Sequence, residues 1–168
     1  MLDQIILFVL AVNVGFLAAW LTVGALENLF HPFLNETYTA EVMDMARMRE
    51  DYPEAYAFVS YRRIVSAPLR RILFRLIVAW ELVSALALWI GAGALFLAGF
   101  AIGAVEPALS LALIGTLLFT TTWCGFLVVG NWFCYWFGHE GGQNTHFQMT
   151  LWGMGTMILI VASANLLL

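Results

Sequence analysis

Four stretches of this chain are long and apolar, three of them without a charged residue, and each is long enough to cross a bilayer as a helix. They run from about Ile5 to Leu26, Pro68 to Ala101, Ala108 to Val129 and Phe147 to Asn165. A hydrocarbon core of about 30 Å needs about 20 helical residues, and in lipid only a helix or a closed barrel satisfies every backbone polar group. The bulk composition agrees. The 168 residues are 62% apolar and 11% charged, whereas soluble domains carry roughly 25% charged residues. Mean hydropathy is +0.88. The expected fold is all-α: one polytopic membrane domain over residues 1–168, with four transmembrane helices in a bundle and a short surface helix in the first connection.

The N-terminal apolar run has no basic residues before it, is too long for a signal-peptide core and lacks a small-x-small cleavage site, so it reads as a retained span. Leu2 excludes myristoylation. Four spans place both termini on one side. The connection from about Glu27 to Ala67 and the hairpin at 131–146 then share the other side. No internal repeat supports an inverted-repeat transporter.

Several local signals mark the elements. Ser66 is a good helix cap and Pro68 sits where a first-turn proline is tolerated. The helix that follows exceeds the hydrocarbon thickness, which places Arg70, Arg71 and Arg75 in the headgroup layer. Ser84, Ala87 and Gly91 in that span, and Gly153 and Gly155 in the fourth, allow close helix packing. The first connection mixes arginines with Glu36, Glu41, Asp44, Glu50, Asp51 and Glu54. Thr39 to Glu50 has helical composition with an apolar stripe at Val42, Met45, Ala46 and Met48, which predicts the surface helix. Thr120, Thr121 and Thr122 are expected to bond back to their own helix.

Charge excludes some functions. There is no lysine, the seven basic residues are arginines between Arg47 and Arg75, and net charge is −4. No basic tract suits nucleic acid. Cys124 and Cys134, on one helix, would lie ~15 Å apart, too far for a disulfide. No G-x-S-x-G, P-loop, dinucleotide-binding glycine pattern or H-E-x-x-H is present, so no catalytic residue is assigned and the protein is not expected to be an enzyme.

Polar groups gather at one end of the predicted bundle. Glu27, Asn28, His31, Arg75, Glu81, Asn131, His139, Gln143, Asn144 and His146 fall there, against Asp3, Glu106 and Asn165 at the other. Candidate binding residues are Glu81, Arg75, His31, Asn131, Trp132, His139, Asn144 and His146. Glu81 lies six residues past Arg75, ~9 Å deeper along the helix. A carboxylate there costs a few kcal/mol unless paired or protonated. It is either a proton relay or ligand anchor, or an interhelical packing bond to Asn131 or Asn13. Histidines at helix ends rather than within helices suit neither haem in a bundle nor a zinc site, so no cofactor or metal is assigned. Contact with haem, a quinone or a pigment stays an alternative, because the tryptophans fit an aromatic belt, core packing or an aromatic pocket.

The run Arg63-Ile64-Val65-Ser66-Ala67-Pro68-Leu69 leading to Glu81 is one recognisable piece. Another is Gly130-Asn131-Trp132-Phe133 with Trp136 and Gly142-Gln143-Asn144-Thr145-His146-Phe147. Together they resemble the bacterial "predicted small integral membrane protein" family. The resemblance covers most of the chain. It implies four helices, a second-helix glutamate at Glu81, an aromatic-amide hairpin from Trp132 to Phe147 and a bacterial cytoplasmic membrane; it implies no activity. A basic N-terminus and a basic second connection, which in the family imply cytoplasmic termini, are missing here. The arginine count instead places the first connection in the cytoplasm, so the two orientations stay open.

The expected function is that of a non-catalytic accessory or stabilising subunit. Its partners would be membrane lipids and a larger membrane complex, respiratory or photosynthetic. The alternative is a protein that binds a lipid, quinone or haem, or moves a proton or solute, through the loop-end cluster.

Overall fold

A computed structural model describes all 168 residues and contains helices and no strand. Four long helices are α1 (Leu2–Phe30), α5 (Ala67–Gly99), α6 (Val105–Trp132) and α7 (Glu140–Leu167). Each has the length and composition of a membrane span. Between α1 and α5 the chain folds as α2 (Phe33–Met43), α3 (Ala46–Asp51), α4 (Pro53–Val59) and a 3₁₀ turn (Ser60–Arg62). The first connection is therefore a folded cap of three helices where the sequence predicts one.

The break between α2 and α3 follows from Met45. Its φ of 53° is left-handed, which interrupts the helix expected from Thr39 to Glu50. Burial holds it there: Met43, Met45 and Met48 pack with Phe133 and Cys134 under the cap. Asp44, just before the break, lies 3.1 Å from Arg49, 3.7 Å from Arg63 and 3.2 Å from Arg70. That ties the cap to the start of α5. Ser66 caps α5 as expected, its Oγ accepting from the Leu69 N–H at 3.4 Å.

In the bundle, α1 packs mainly on α5, α5 on α6 and α6 on α7, while α1 and α7 meet over a short stretch only. Lipid gives no hydrophobic drive to helix association, so close packing of small residues carries it. A Cβ on Gly91 would lie 2.6 Å from Ala112 Cα, and one on Gly115 2.9 Å from the Ala87 carbonyl. Gly153 likewise abuts Thr120. Gly155, expected to do the same, has open space around it. Thr120, Thr121 and Thr122 all bond back to carbonyls of their own helix.

The hairpin is shorter than the sequence suggests. α7 begins at Glu140, so only 133–139 lie outside the spans and His146 sits inside a helix. Gly141 and Gly142 read as breakers, each costing roughly 0.5–1 kcal/mol in a helix, yet Gly142 lets the Tyr38 hydroxyl of the cap come close: a Cβ there would meet it and Tyr38 would have to shift.

Candidate functional site

The buried face of α1 repeats at three- and four-residue steps: Val14, Leu17, Ala18, Leu21, Ala25 and then Asn28. That spacing is one helical stripe, and it carries an amide into the interior at the loop end. Opposite it, the stripe of α5 through Phe74, Val78, Ser84 and Ala85 carries Glu81, which is 5% exposed. Asn28 Nδ2 donates to Glu81 Oε2 at 2.9 Å, and Asn35 Nδ2 from α2 donates to Asn28 Oδ1 at 2.6 Å. Glu81 thus meets neither Asn131, which is exposed, nor Asn13, which bonds the Val9 carbonyl of its own turn. Both expected packing partners are replaced by Asn28.

A second wall comes from α6, the hairpin and α7. At the end of α6 the chain turns back on itself. Tyr135 N–H donates to Gly130 O and Cys134 N–H to Asn131 O, with Cys134 at φ 53°. This is the Schellman closure of a helix C-terminus, with cysteine where glycine is usual. It folds the Tyr135 ring onto Gly130, where a Cβ would come within 2.8 Å of it. Tyr135 stacks on His146 at 5.9 Å, and Phe126 and Trp123 flank the same imidazole at 4.9 and 5.7 Å. Tyr135 Oη, His146 Nδ1 and Trp123 Nε1 are all buried without a hydrogen-bond partner.

Between the two walls is a cavity of about 690 Å³. Glu81, Asn28, Tyr135, His146 and Trp123 line its loop end, α2 covers it through Asn35, Tyr38 and Met43, and Trp20 and Trp152 meet edge to face at 6.3 Å across it deeper in the bundle. Its lining on α1 includes Phe16, Trp20 and Val23, which are 61%, 50% and 70% exposed. The exposed face of these α1 residues leaves the cavity open sideways along α1, which meets α7 over a short stretch only.

Outside the spans, burial governs the titratable groups that hold the cap down. Tyr38, edge-on to His139 at 4.8 Å, has its pKa raised by burial, partly offset by Arg47. Burial, and then Arg47, lowers that of His139. Tyr135 is pushed up to about 12, again by burial.

A sequence model of the family described as predicted small integral membrane protein (DUF2165) matches residues 6–163. The chain belongs to that family. The match takes in every residue around the cavity, so the site of this DUF2165 member lies wholly within the family domain. No curated protein and no solved structure matches the chain.

Of the eight candidate residues, the structure brings Glu81 and His146 to one cavity. His139 is buried beside it, against Tyr38. Arg75 is exposed in a separate cleft with Arg70 and Arg71. His31, Asn131 and Asn144 are exposed, and Trp132 stacks under Arg62 at 4.9 Å on the outside. No three His, Cys, Asp or Glu side chains converge in metal-ligating geometry. Both cysteines are free, and Cys134 lies beyond the end of α6 rather than on one helix with Cys124. Asn28, which the sequence reading places in the loop-end polar group but not among the binding candidates, belongs to the site, as do Asn35, Tyr38 and Tyr135, which it does not pick out. The stripe of α1 is a usable signal for Asn28; nothing local points to the others.

Proposed function

We propose that this four-span membrane protein binds one small amphiphile, taken sideways from the bilayer into the loop-end cavity. The observation that carries the proposal is the convergence of Glu81 and His146 on one mostly apolar space lined by three buried polar atoms, His146 Nδ1 among them, that no protein group satisfies. Buried polar groups are ordinarily hydrogen-bonded, and a mostly apolar cavity with a few convergent polar groups is the usual form of a small-molecule site. The reading is of a binding protein without a catalytic step or a resident cofactor. The membrane we propose is the bacterial cytoplasmic one, on the family resemblance.

Docking to a larger respiratory or photosynthetic complex takes second place. Three of the six acids of the cap, Glu36, Glu41 and Asp44, are engaged with arginines rather than free for a partner, as in Arg71–Glu36 at 2.9 Å and the three arginines around Asp44. A second chain co-migrating stoichiometrically on blue-native gels would return docking to first place.

Gly24 supplies the test of binding. It lines the cavity, and a Cβ there meets nothing within 4 Å, so Gly24→Leu adds bulk at the cavity wall from a position with room for a side chain to start. Native mass spectrometry of the protein in mild detergent should show a bound small molecule at about one per chain, lost in G24L. A wild-type spectrum without an adduct, or one equally occupied in the variant, would overturn the proposal.

A further inference from the structure

The charges around the cavity are one-sided. Glu81 and Glu27 line it, and none of the seven arginines does. The five ion pairs of the protein all lie in the cap and at the start of α5, and none includes Glu81. Its one partner is the Asn28 amide, which brings a dipole but no charge. Arg75 has no protein partner either, yet it faces the outer cleft beside Arg71, away from the cavity. Ionisable groups within membrane spans are ordinarily paired with one another or with backbone. At Glu81 the fold omits the cation.

The walls suit a cation that the protein does not supply. Aromatic rings attract positive charge through their quadrupole, by ≈0.5–1 kcal/mol at exposed sites and ≈2 or more where water is excluded. Trp20, Trp123, Phe126 and Tyr135 line the same space as Glu81. The sideways mouth at Phe16 and Val23 is apolar, so an entering molecule needs a greasy body behind its charged head.

On the reading that the cavity binds an amphiphile, we propose that this ligand is a lipophilic organic cation, a long-chain amine or quaternary ammonium, with Glu81 as its counter-ion and the aromatic wall around its head. Glu27 adds a second carboxylate to the same lining. Tyr135 and Trp123 donate to any oxygen the ligand carries beside its nitrogen.

Tryptophan fluorescence reads the cavity directly, since Trp20, Trp123 and Trp152 line it. The full chain in a maltoside detergent is titrated with n-octyltrimethylammonium and with its neutral isostere, in which carbon replaces nitrogen. The cation should bind saturably and at least about tenfold more tightly than the isostere. E81Q, whose amide oxygen can still accept from Asn28, should abolish the preference for the cation over the isostere. Equal binding of the two probes overturns the cation assignment and leaves the amphiphile reading standing. Binding of neither sinks both. Should E81Q not fold, the wild-type comparison of the two probes decides by itself.

Discussion

Asn28 holds two neighbours at once, donating to Glu81 and accepting from Asn35. Removing it strands a buried carboxylate, and an orphaned buried polar partner costs about 1–3 kcal/mol, whereas replacing both partners by apolar groups of similar shape is nearly neutral. Asn28→Leu should therefore lower the thermal unfolding midpoint in detergent, and adding Glu81→Leu should recover most of the loss. A double variant no more stable than N28L would show that the pair is not the cause. His139 makes a prediction of a different kind. Its folded pKa lies below the ordinary 6.5, through burial and then Arg47, so the unfolded chain binds a proton that the folded chain refuses. Its contribution to stability is constant above the ordinary value and declines as pH falls below it, until the folded histidine also protonates. Melting curves between about pH 8 and pH 5 should slope less in His139→Gln than in the parent; parallel slopes would remove His139 as the cause.

The long helices were legible because a twenty-residue apolar run has few other outcomes in lipid, and the Ser66 cap was legible because its chemistry is local. The breaks were not. Three helices end on non-glycine residues in the left-handed region, Met45, Ala101 and Cys134, which no turn residue announces. Ala101 shows the cost most simply. Ile102 N–H donates to Leu97 O and Ala101 N–H to Ala98 O, so Ala101 occupies the C′ position of a Schellman turn that favours glycine. A left-handed conformation costs an L-residue roughly 1–2 kcal/mol, and glycine's greater freedom when unfolded returns roughly 0.4–1 kcal/mol of that. Ala101→Gly should raise stability by up to about 1 kcal/mol, read as a higher melting midpoint; a lower one would contradict the strain assigned to that turn. The α5–α6 seam gives the opposite sign. Gly91→Ala must push the α5 and α6 backbones apart, because its Cβ would sit 2.6 Å from Ala112 Cα, while Gly93→Ala meets nothing within 4 Å. Overpacking costs typically 1–3 kcal/mol, and Gly→Ala in an open helix is neutral to favourable. G91A should destabilise and G93A should not, by unfolding in mixed micelles; equal effects would show that the seam is looser than the geometry states.

For the whole molecule, the one-ended distribution of polar groups was readable from the order of spans alone, and it located the cavity's end of the bundle. The cavity itself was not readable, because it depends on α1 and α7 failing to close against each other and on Tyr38 reaching Gly142 across more than a hundred residues of chain. The same distribution governs how the molecule sits in its membrane. All seven arginines lie between Arg47 and Arg75, in the cap and the first turns of α5, and residues 1–46 and 76–168, the α5–α6 turn included, hold no arginine or lysine. Basic residues within about 15–20 residues of a span set orientation, and acidic residues contribute little to that bias. The ion pairs of Asp44, Glu36 and Glu41 thus do not cancel the effect of the arginines beside them. The cap should face the cytoplasm and both termini the other side, the reverse of what the family resemblance alone implies. Fusing alkaline phosphatase to the C-terminus should then give active enzyme, and a green fluorescent protein fused there should stay dark. The opposite pair of readouts would place the cap, and the loop end of the cavity beneath it, on the outer face, and would show that forces other than the arginine count orient this chain.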